Sequence, residues 1–207
     1  MKPDCIIIRN ELNGKVEFVS EQTEWQHKWE KDVLTYDVEY HESLKLLSKR
    51  QLKRAVNLAV STWNFEIPLK FKSAWNTQAD IEIRFKTKDE DKYFKDRPSV
   101  LAYAYYPGQA KVSGKVVFNA SYIWDLKGKG ISGKNAIKKG VVDNAYPTNI
   151  LKTYNVYAVL IHELGHTLGL KHDITGKKDG SDVMDAYYSV TNLDLSDRDI
   201  YRIRVKY

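Results

Sequence analysis

The sequence predicts an α+β domain, and three observations lead to that fold class. Apolar and polar residues alternate along short segments such as 80–85, which is the pattern of a strand with one buried face. In 49–64 and 155–170 the apolar residues instead recur at helical spacing, as in amphipathic helices. The resulting order is strand, helix, several strands, helix, loop and helix, and this arrangement is typical of α+β folds.

The first elements follow a polar and irregular segment, residues 1–30, in which Cys5–Ile8 is the longest apolar run. We expect this segment to be an N-terminal extension or a short added strand. Alternating β-branched and aromatic residues in 34–40 predict the first strand of the domain. Ser48 carries a hydroxyl suited to cap the helix predicted at 49–64.

The remaining elements are predicted by the same patterns and by turn residues between them. The strands are expected at 69–71, 80–85, 100–106 and 112–119, and a last helix is expected at 197–205. Ser196 is the expected cap of that helix, because acidic residues follow it in the first turn and basic residues lie towards the end. A charged loop is expected at 86–98.

Residues 125–153 differ from the rest of the chain, because glycine and proline interrupt them repeatedly. The segment also carries Lys127, Lys129, Lys134, Lys138 and Lys139. One interpretation is a solvated loop, since long segments of this kind run over protein surfaces. The other is a lysine-rich rim beside a functional site, because the segment directly precedes the helix predicted at 155–170.

Composition limits the classes of protein to consider. The 207 residues suffice for one domain with a hydrophobic core, and 43% hydrophobic with 29% charged residues is typical of globular proteins. No apolar run approaches the ~20 residues of a membrane span, and no signal peptide is recognisable. The net charge of +6 is interpreted as a contribution to solubility, with steering of acidic substrates as an additional interpretation. It does not predict nucleic-acid binding, because the lysines are dispersed and no nucleic-acid motif accompanies them.

The motif that carries chemistry is His-Glu-Leu-Gly-His-Thr-Leu-Gly-Leu-Lys-His at residues 162–172. His162 and His166 lie four apart, so a helix projects both from one face, where the two imidazoles can share a metal ion. Glu163 follows the first histidine and is placed to take a proton from water at that metal. The pattern predicts a hydrolytic zinc site with Glu163 as general base.

A third ligand completes this prediction. His172 lies beyond the reach of a straight helix, so the backbone must turn, and Gly169 is the residue that tolerates a positive φ there. Three histidines leave one tetrahedral position open, as a catalytic zinc requires and a structural zinc does not. The alternative is an amphipathic helix with surface histidines, but three of the five histidines of the chain fall on these positions.

The extended motif resembles that of the metzincins, whose signature includes a later methionine turn. Met184 lies where that turn is expected and would form an apolar floor beneath the ligands. Within the metzincins the chain is similar to the matrixin catalytic domain from about Trp29 to Tyr207. The similarity rests on Leu34–Tyr36, Ala55–Trp63, Ala79–Ile81, Leu101–Gly108 and Leu195–Ile200.

The resemblance implies a metzincin fold, with a twisted five-stranded mixed sheet, three helices and a cleft between an upper and a lower subdomain. It divides the chain into an extension, 1–28, and a catalytic domain, 29–207. It further implies a zinc-dependent endopeptidase that binds an extended peptide along an edge strand at Leu101 and Ala102. Tyr188 is the expected wall of the S1′ pocket, which holds the side chain after the scissile bond; the alternative is an ordinary packed aromatic.

Departures from the matrixin pattern concern accessory metals. Tyr103 and Val117 stand where the family has histidines for a structural zinc, so we expect one zinc ion, the catalytic one. Asn119 and Ser121 replace acidic residues expected near a calcium ion, which puts that site in doubt, while Asp80 keeps a matrixin-like position for another calcium or simply ends a strand.

Two further positions bear on classification and control. Asp173, after the third histidine, is more typical of adamalysins, although the missing disulfides favour a matrixin. Cys5 is the single cysteine of the chain. It is either a zinc-binding latency switch, as in matrixin zymogens, or a packed cysteine, because the glycine of the zymogen motif is absent.

The resemblance also suggests a secreted or extracellular monomer that acts on protein or peptide substrates. Two alternatives to an endopeptidase remain. One is an inactive metzincin-like binding module, which retention of Glu163 disfavours. The other is a zinc amidase that acts on cell-wall peptides.

Overall fold

A computed structural model describes residues 4–7, 27–74, 78–144, 146–173, 182–191 and 193–207, with the backbone alone described for 4–7. The helices are α1 (Lys49–Asn64), α2 (Lys92–Asp96), α3 (Gly133–Lys138), α4 (Val156–Thr167) and α5 (Asp197–Lys206). The strands of the main sheet are β1 (Asp4–Ile7), β2 (Val33–Val38), β3 (Lys70–Ser73), β4 (Ile81–Lys86), β5 (Val100–Ala104) and β6 (Lys115–Asn119). Four two-residue strands follow: β7 (Trp124–Asp125), β8 (Ile131–Ser132), β9 (Ile150–Leu151) and β10 (Tyr154–Asn155).

The main sheet is mixed, with the strand order β1-β5-β6-β4-β2-β3. The pairs among β6, β4, β2 and β3 are parallel, whereas β5 runs antiparallel to β6. The five predicted strands are β2 to β6. The N-terminal segment adds β1 antiparallel to the outer side of β5, with Ile6 opposite Ala102. The predicted edge strand is therefore paired on both sides.

The core lies where α1 and α4 pack against each other and against the sheet. Helix α1 begins as predicted, because the Ser48 hydroxyl accepts a hydrogen bond from the Gln51 backbone and the Gln51 side chain accepts one from the Ser48 backbone. Trp63, near its end, is fully buried and donates its indole N–H to the Ile161 carbonyl at 2.8 Å. This bond fixes the back of α4, the helix that carries His162 and His166.

A second, smaller apolar cluster contains Phe94, Val100, Tyr103 and Val117. The segment predicted as a charged loop, 86–98, contains the helix α2, because Phe94 buries its ring in this cluster. Tyr103 donates its hydroxyl to the Asp91 carboxylate at 2.7 Å, and burial together with this bond raises the pKa of Tyr103. Side chains that replace the expected histidines thus lie in an aromatic environment.

The segment 125–153, interpreted from its composition as a solvated loop or a lysine-rich rim, contains secondary structure. Strands β8 and β9 pair with each other, and α3 lies between them in sequence. The Asp125 carboxylate accepts hydrogen bonds from the backbone of Lys127 and Gly128 and from the Thr153 hydroxyl, which ties the two ends of the segment together. Its six lysines are exposed, as a solvated surface requires. No helix in the described part of the chain is long and apolar enough to cross a membrane.

Candidate metal centre

Helix α4 places two histidines and a glutamate in the interior. The Asn155 side chain caps the helix by accepting bonds from the backbone of Tyr157 and Ala158. His162, Glu163 and His166 are each at most 1% exposed. Such burial of three ionisable residues on one helix is costly without specific partners, so these side chains mark a functional site.

The helix ends at Thr167, earlier than the predicted 170, because Gly169 adopts φ +94°. The turn is closed by bonds from Gly169 N–H to the His166 carbonyl and from Leu170 N–H to the Gly165 carbonyl. A Cβ at position 169 would lie 3.0 Å from the His27 carbonyl oxygen, so both the conformation and the space favour glycine. The chain reverses here, which brings His172 back towards the helix, as the sequence predicted.

The three imidazoles converge on one point. The Nε2 atoms of His162 and His166 are 3.0 Å apart, and each is 3.2 Å from Nε2 of His172. Two nitrogens bound tetrahedrally to zinc at about 2.0–2.1 Å would be separated by about 3.3 Å. The histidines therefore fit a single zinc ion. They are also the one group of three or more candidate metal-ligating side chains found among the described residues.

Hydrogen bonds at the other ring nitrogens set the tautomers. Nδ1 of His162 lies 2.6 Å from the Val183 carbonyl, and Nδ1 of His166 lies 2.7 Å from the Leu170 carbonyl. Each Nδ1 must therefore carry the proton and donate it to the carbonyl. The unprotonated Nε2 then has a lone pair that can bind a metal ion. Burial, followed by the neighbouring His172, lowers the pKa of His162 to about 3, and burial likewise lowers that of His166. Both rings are neutral, as metal ligands must be.

Met184 is fully buried, and its sulfur lies against Gly165 of α4, between His162 and His166 in sequence. Its role as an apolar floor beneath the ligands stays a prediction. Gly165 permits this arrangement, because a Cβ there would lie 2.3 Å from the methionine sulfur. The Asp199 carboxylate stabilises the methionine turn by accepting hydrogen bonds from the backbone N–H groups of Val183 and Met184 at 2.9 and 3.4 Å. Burial raises the pKa of Asp199, while the backbone donors oppose that shift.

Gly165 and Asp199 were not identified from the sequence. A glycine inside a helix lowers helix propensity, and this was a usable sign that a neighbour approaches closely. For Asp199 the local signal was a helix-capping pattern, and its second role depends on a contact between distant parts of the chain. Tyr106 was also missed; its ring lies edge-on to His166, with the ring centres 5.7 Å apart.

The predicted substrate-binding residues lie on two elements beside α4. Leu101 and Ala102 are buried in β5, the strand against which α4 packs. Tyr188 accepts a hydrogen bond from the Asn155 backbone at 2.8 Å and packs its ring on Tyr154. Burial raises the pKa of Tyr188 to about 12. Its position at the start of α4 agrees with either interpretation, so a role in the S1′ pocket stays a prediction.

The residues considered as calcium ligands form hydrogen bonds with other groups of the protein. Asp80 accepts hydrogen bonds from the Lys31 ammonium and from the backbone and hydroxyl of Thr35. The Asn119 amide donates to the Val100 carbonyl and accepts from Ser121 N–H. These bonds give each side chain a structural role.

Comparison with known proteins agrees with this geometry. The family model of the matrixins matches residues 28–207. The chain is 31% identical to human neutrophil collagenase over 147 residues, which are 70% of this chain and 26% of that protein. It is 33% identical to matrix metalloproteinase-2 of Drosophila melanogaster over 70% of this chain and 16% of the relative. It is 29% identical to horse interstitial collagenase over 89% of this chain and 34% of the relative.

The chain thus spans about a third or less of the length of the curated relatives it matches. The match includes the three convergent histidines, the glycine turn and the buried methionine, and the mixed sheet with its helices is the metzincin fold. The chain therefore belongs to the matrixin family of metallopeptidases.

Proposed function

We propose that this chain is a zinc-dependent endopeptidase with Glu163 as its general base. The observation that carries the proposal is the convergence of three Nε2 atoms within 3.2 Å of one another. The buried Glu163 directly follows one of these histidines on α4. A zinc ion held by His162, His166 and His172 supplies a Lewis acid for the scissile carbonyl and for water. Family membership supports the same activity.

Two features of Glu163, its place on α4 and its burial, support the proposed role in proton transfer. It follows His162 on α4 and is fully buried, so its carboxylate acts where little water competes. It takes a proton from the attacking water as the new C–O bond forms. It then passes that proton to the nitrogen of the leaving amine as the C–N bond breaks, so the carboxylate is regenerated.

The substrate we propose is an extended peptide that adds to the outer side of β5 at Leu101 and Ala102. The pairing of β1 with this edge supports the idea, because it demonstrates that the β5 backbone accepts an antiparallel strand. An apolar side chain of the substrate would enter a pocket beside α4, with Tyr188 in its wall. The pairing also supports control by the N-terminal segment. A role of the Cys5 thiol as a zinc ligand in that control stays a prediction.

We further propose one zinc ion per chain, since Tyr103 and Val117 lie in an apolar cluster at the positions of the family's structural-zinc histidines. A calcium requirement is disfavoured by the hydrogen bonds of Asp80 and Asn119. The proposed division is an extension at 1–28 and a catalytic domain at 29–207. Following the family, we propose a secreted or extracellular monomer that acts on proteins or peptides and not on nucleic acid.

The test compares wild type with Glu163→Ala and Glu163→Gln in cleavage of a denatured protein and a quenched peptide library. Loss of the base should lower kcat by about 10²- to 10⁴-fold, while both variants keep one zinc by metal analysis. A chelator should abolish wild-type activity. His41→Ala is the matched control, because His41 bonds Ser43 and lies outside the cluster of three histidines.

The two alternatives give different outcomes. Wild type that binds zinc but cleaves no more than Glu163→Ala would exclude the peptidase and favour an inactive binding module. Cleavage confined to short cell-wall peptides would favour the amidase. Two zinc ions per chain would overturn the single-zinc proposal.

A further inference from the structure

The third histidine lies outside α4, and two arginines of α5 contact the residues on either side of it. Arg202 donates from Nη2 to the carbonyl of Lys171, the residue before His172, at 2.8 Å. Arg198 forms an ion pair through Nε with the carboxylate of Asp173, the residue after His172. The short loop that presents His172 is therefore held from the same helix at both ends.

Asp173 is fixed more firmly than its place in a loop would suggest. Its side chain is only 4% exposed, although that of Arg198 is 44% exposed. Its backbone N–H donates to the Met184 carbonyl at 2.9 Å. A buried carboxylate needs a cationic or hydrogen-bonding partner to remain ionised there. The ion pair with Arg198 supplies such a partner. The ion pair connects the loop to α5, and the backbone bond to Met184 connects the loop to the methionine turn.

The three histidines depend on this arrangement to different degrees. His162 and His166 lie on α4, and each ring is also held by the hydrogen bond from its Nδ1 to a backbone carbonyl. His172 follows the helix end at Gly169, so its ring can meet the other two only if the loop keeps its conformation. Ordering a loop residue costs conformational entropy, and contacts on both sides of the residue offset that cost.

We propose that Arg198, acting through its ion pair with Asp173, is a positioning residue for His172 and sets how long the metal is retained. The proposal rests on the proposed zinc site, but it concerns metal retention and not peptide cleavage. Neither residue belongs to the group of three histidines that would bind the metal. Their effect is to keep the third imidazole where its Nε2 lies 3.2 Å from those of His162 and His166.

The test measures zinc release into a chromophoric chelator from wild type, Arg198→Gln, Asp173→Asn and the double variant. Loss of a contact that orients a ligand weakens metal binding by about 10- to 100-fold, so release should accelerate by that factor in each single variant. The double variant should be no faster than the worse single one, because both substitutions remove the same pair. Arg204→Gln is the matched control. It breaks an ion pair from the same helix to Glu66 at 2.7 Å and should leave release unchanged.

A second readout separates positioning from general stability. Thermal unfolding of the zinc-free proteins should differ little between Arg198→Gln and Arg204→Gln, while the visible absorption of the cobalt-loaded forms should change in Arg198→Gln alone. Should Arg198→Gln fail to fold, Arg198→Lys decides, because it keeps the charge but not the planar donor and should release zinc at an intermediate rate.

Equal zinc release from wild type, Arg198→Gln and Asp173→Asn would overturn this inference and leave the proposed function untouched. Conversely, wild type that holds zinc but cleaves no peptide would overturn the proposed function, while the comparison of release rates would still stand.

Discussion

Gly165 shows how a single missing side chain shapes the metal centre. It lies inside α4, between His162 and His166 in sequence, where alanine would normally stabilise a helix by about 1 kcal/mol. Here a Cβ would lie 2.3 Å from Met184 Sδ and 3.0 Å from Trp63 Cζ2. Close packing of three elements therefore overrides helix propensity at this position.

We predict that Gly165→Ala lowers the free energy of unfolding by about 1–3 kcal/mol, the usual cost of overpacking a core. Urea unfolding of the metal-free protein measures it. The cost should be smaller in a Met184→Ala background, because the sulfur that the new methyl group meets is then absent. An increase in stability would show that helix propensity decides and that the methionine turn yields easily.

At the level of elements, the pairing of β1 with β5 has the clearest consequence for function. Strand β1 runs antiparallel along the outer side of β5, with Cys5 opposite Tyr103 and Ile6 opposite Ala102. It also lies against α4. A peptide that bound the same side of β5 would need the backbone groups that β1 already uses. The two strands are therefore competitors.

We predict that deletion of residues 1–7 raises kcat/KM for long extended peptides by about tenfold, if displacing β1 costs ~1.4 kcal/mol. Steady-state kinetics with a quenched peptide provide the measurement. A short substrate that does not reach β5 should gain nothing, and zinc release should not change. Unchanged kcat/KM for the long peptide would mean that substrates do not use this side of β5.

The bounds of the helices and strands show where prediction from sequence succeeds. The bounds of α1 agree with the predicted 49–64, because apolar spacing and the Ser48 cap are local properties. Strand β4 also follows its alternation, because Ile81, Ile83 and Phe85 are buried and the residues between them are not. Helix α2 was missed within 86–98, because five residues give little periodicity and the burial of Phe94 depends on β5 and β6. The order within 125–153 was missed for a similar reason, since Asp125 and Thr153 meet across the segment.

At the scale of the whole molecule, burial of neutral histidines couples stability to pH. The pKa of His162 falls from 6.5 to about 3 in the folded protein because of burial, and that of His166 is lowered as well. Between these values the unfolded chain binds protons that the folded chain does not. The stabilisation is therefore fully present above about pH 6.5 and is lost as the pH falls towards 3.

We predict that the zinc-free protein loses up to about 1.4 kcal/mol of stability per pH unit for each of these histidines on acidification below their unfolded pKa. Urea unfolding at about pH 7 and about pH 5 tests this expectation. His162→Gln lacks one titrating ring and should lose less, while groups such as Asp199 contribute equally to both proteins. Equal losses in the two would mean that His162 is not buried in its neutral form without metal.

The chemistry proposed for the candidate site could be predicted from the sequence alone. The spacing of His162, Glu163 and His166 on a helix, the turn at Gly169 and the third histidine all follow from local geometry, because a helix repeats every 3.6 residues and glycine tolerates a positive φ. Net charge and chain length are counts over the sequence. Most bounds of helices and strands follow from patterns within short segments.

Only the tertiary structure decided which distant groups support that chemistry. Arg198 meets Asp173, Asp199 holds the methionine turn, and β1 covers β5, although each pair is separated by a stretch of chain that carries no sign of the contact. Such contacts depend on how whole elements pack. Periodicity and motif spacing describe neighbours along the chain, and packing brings together residues that are neighbours only in space.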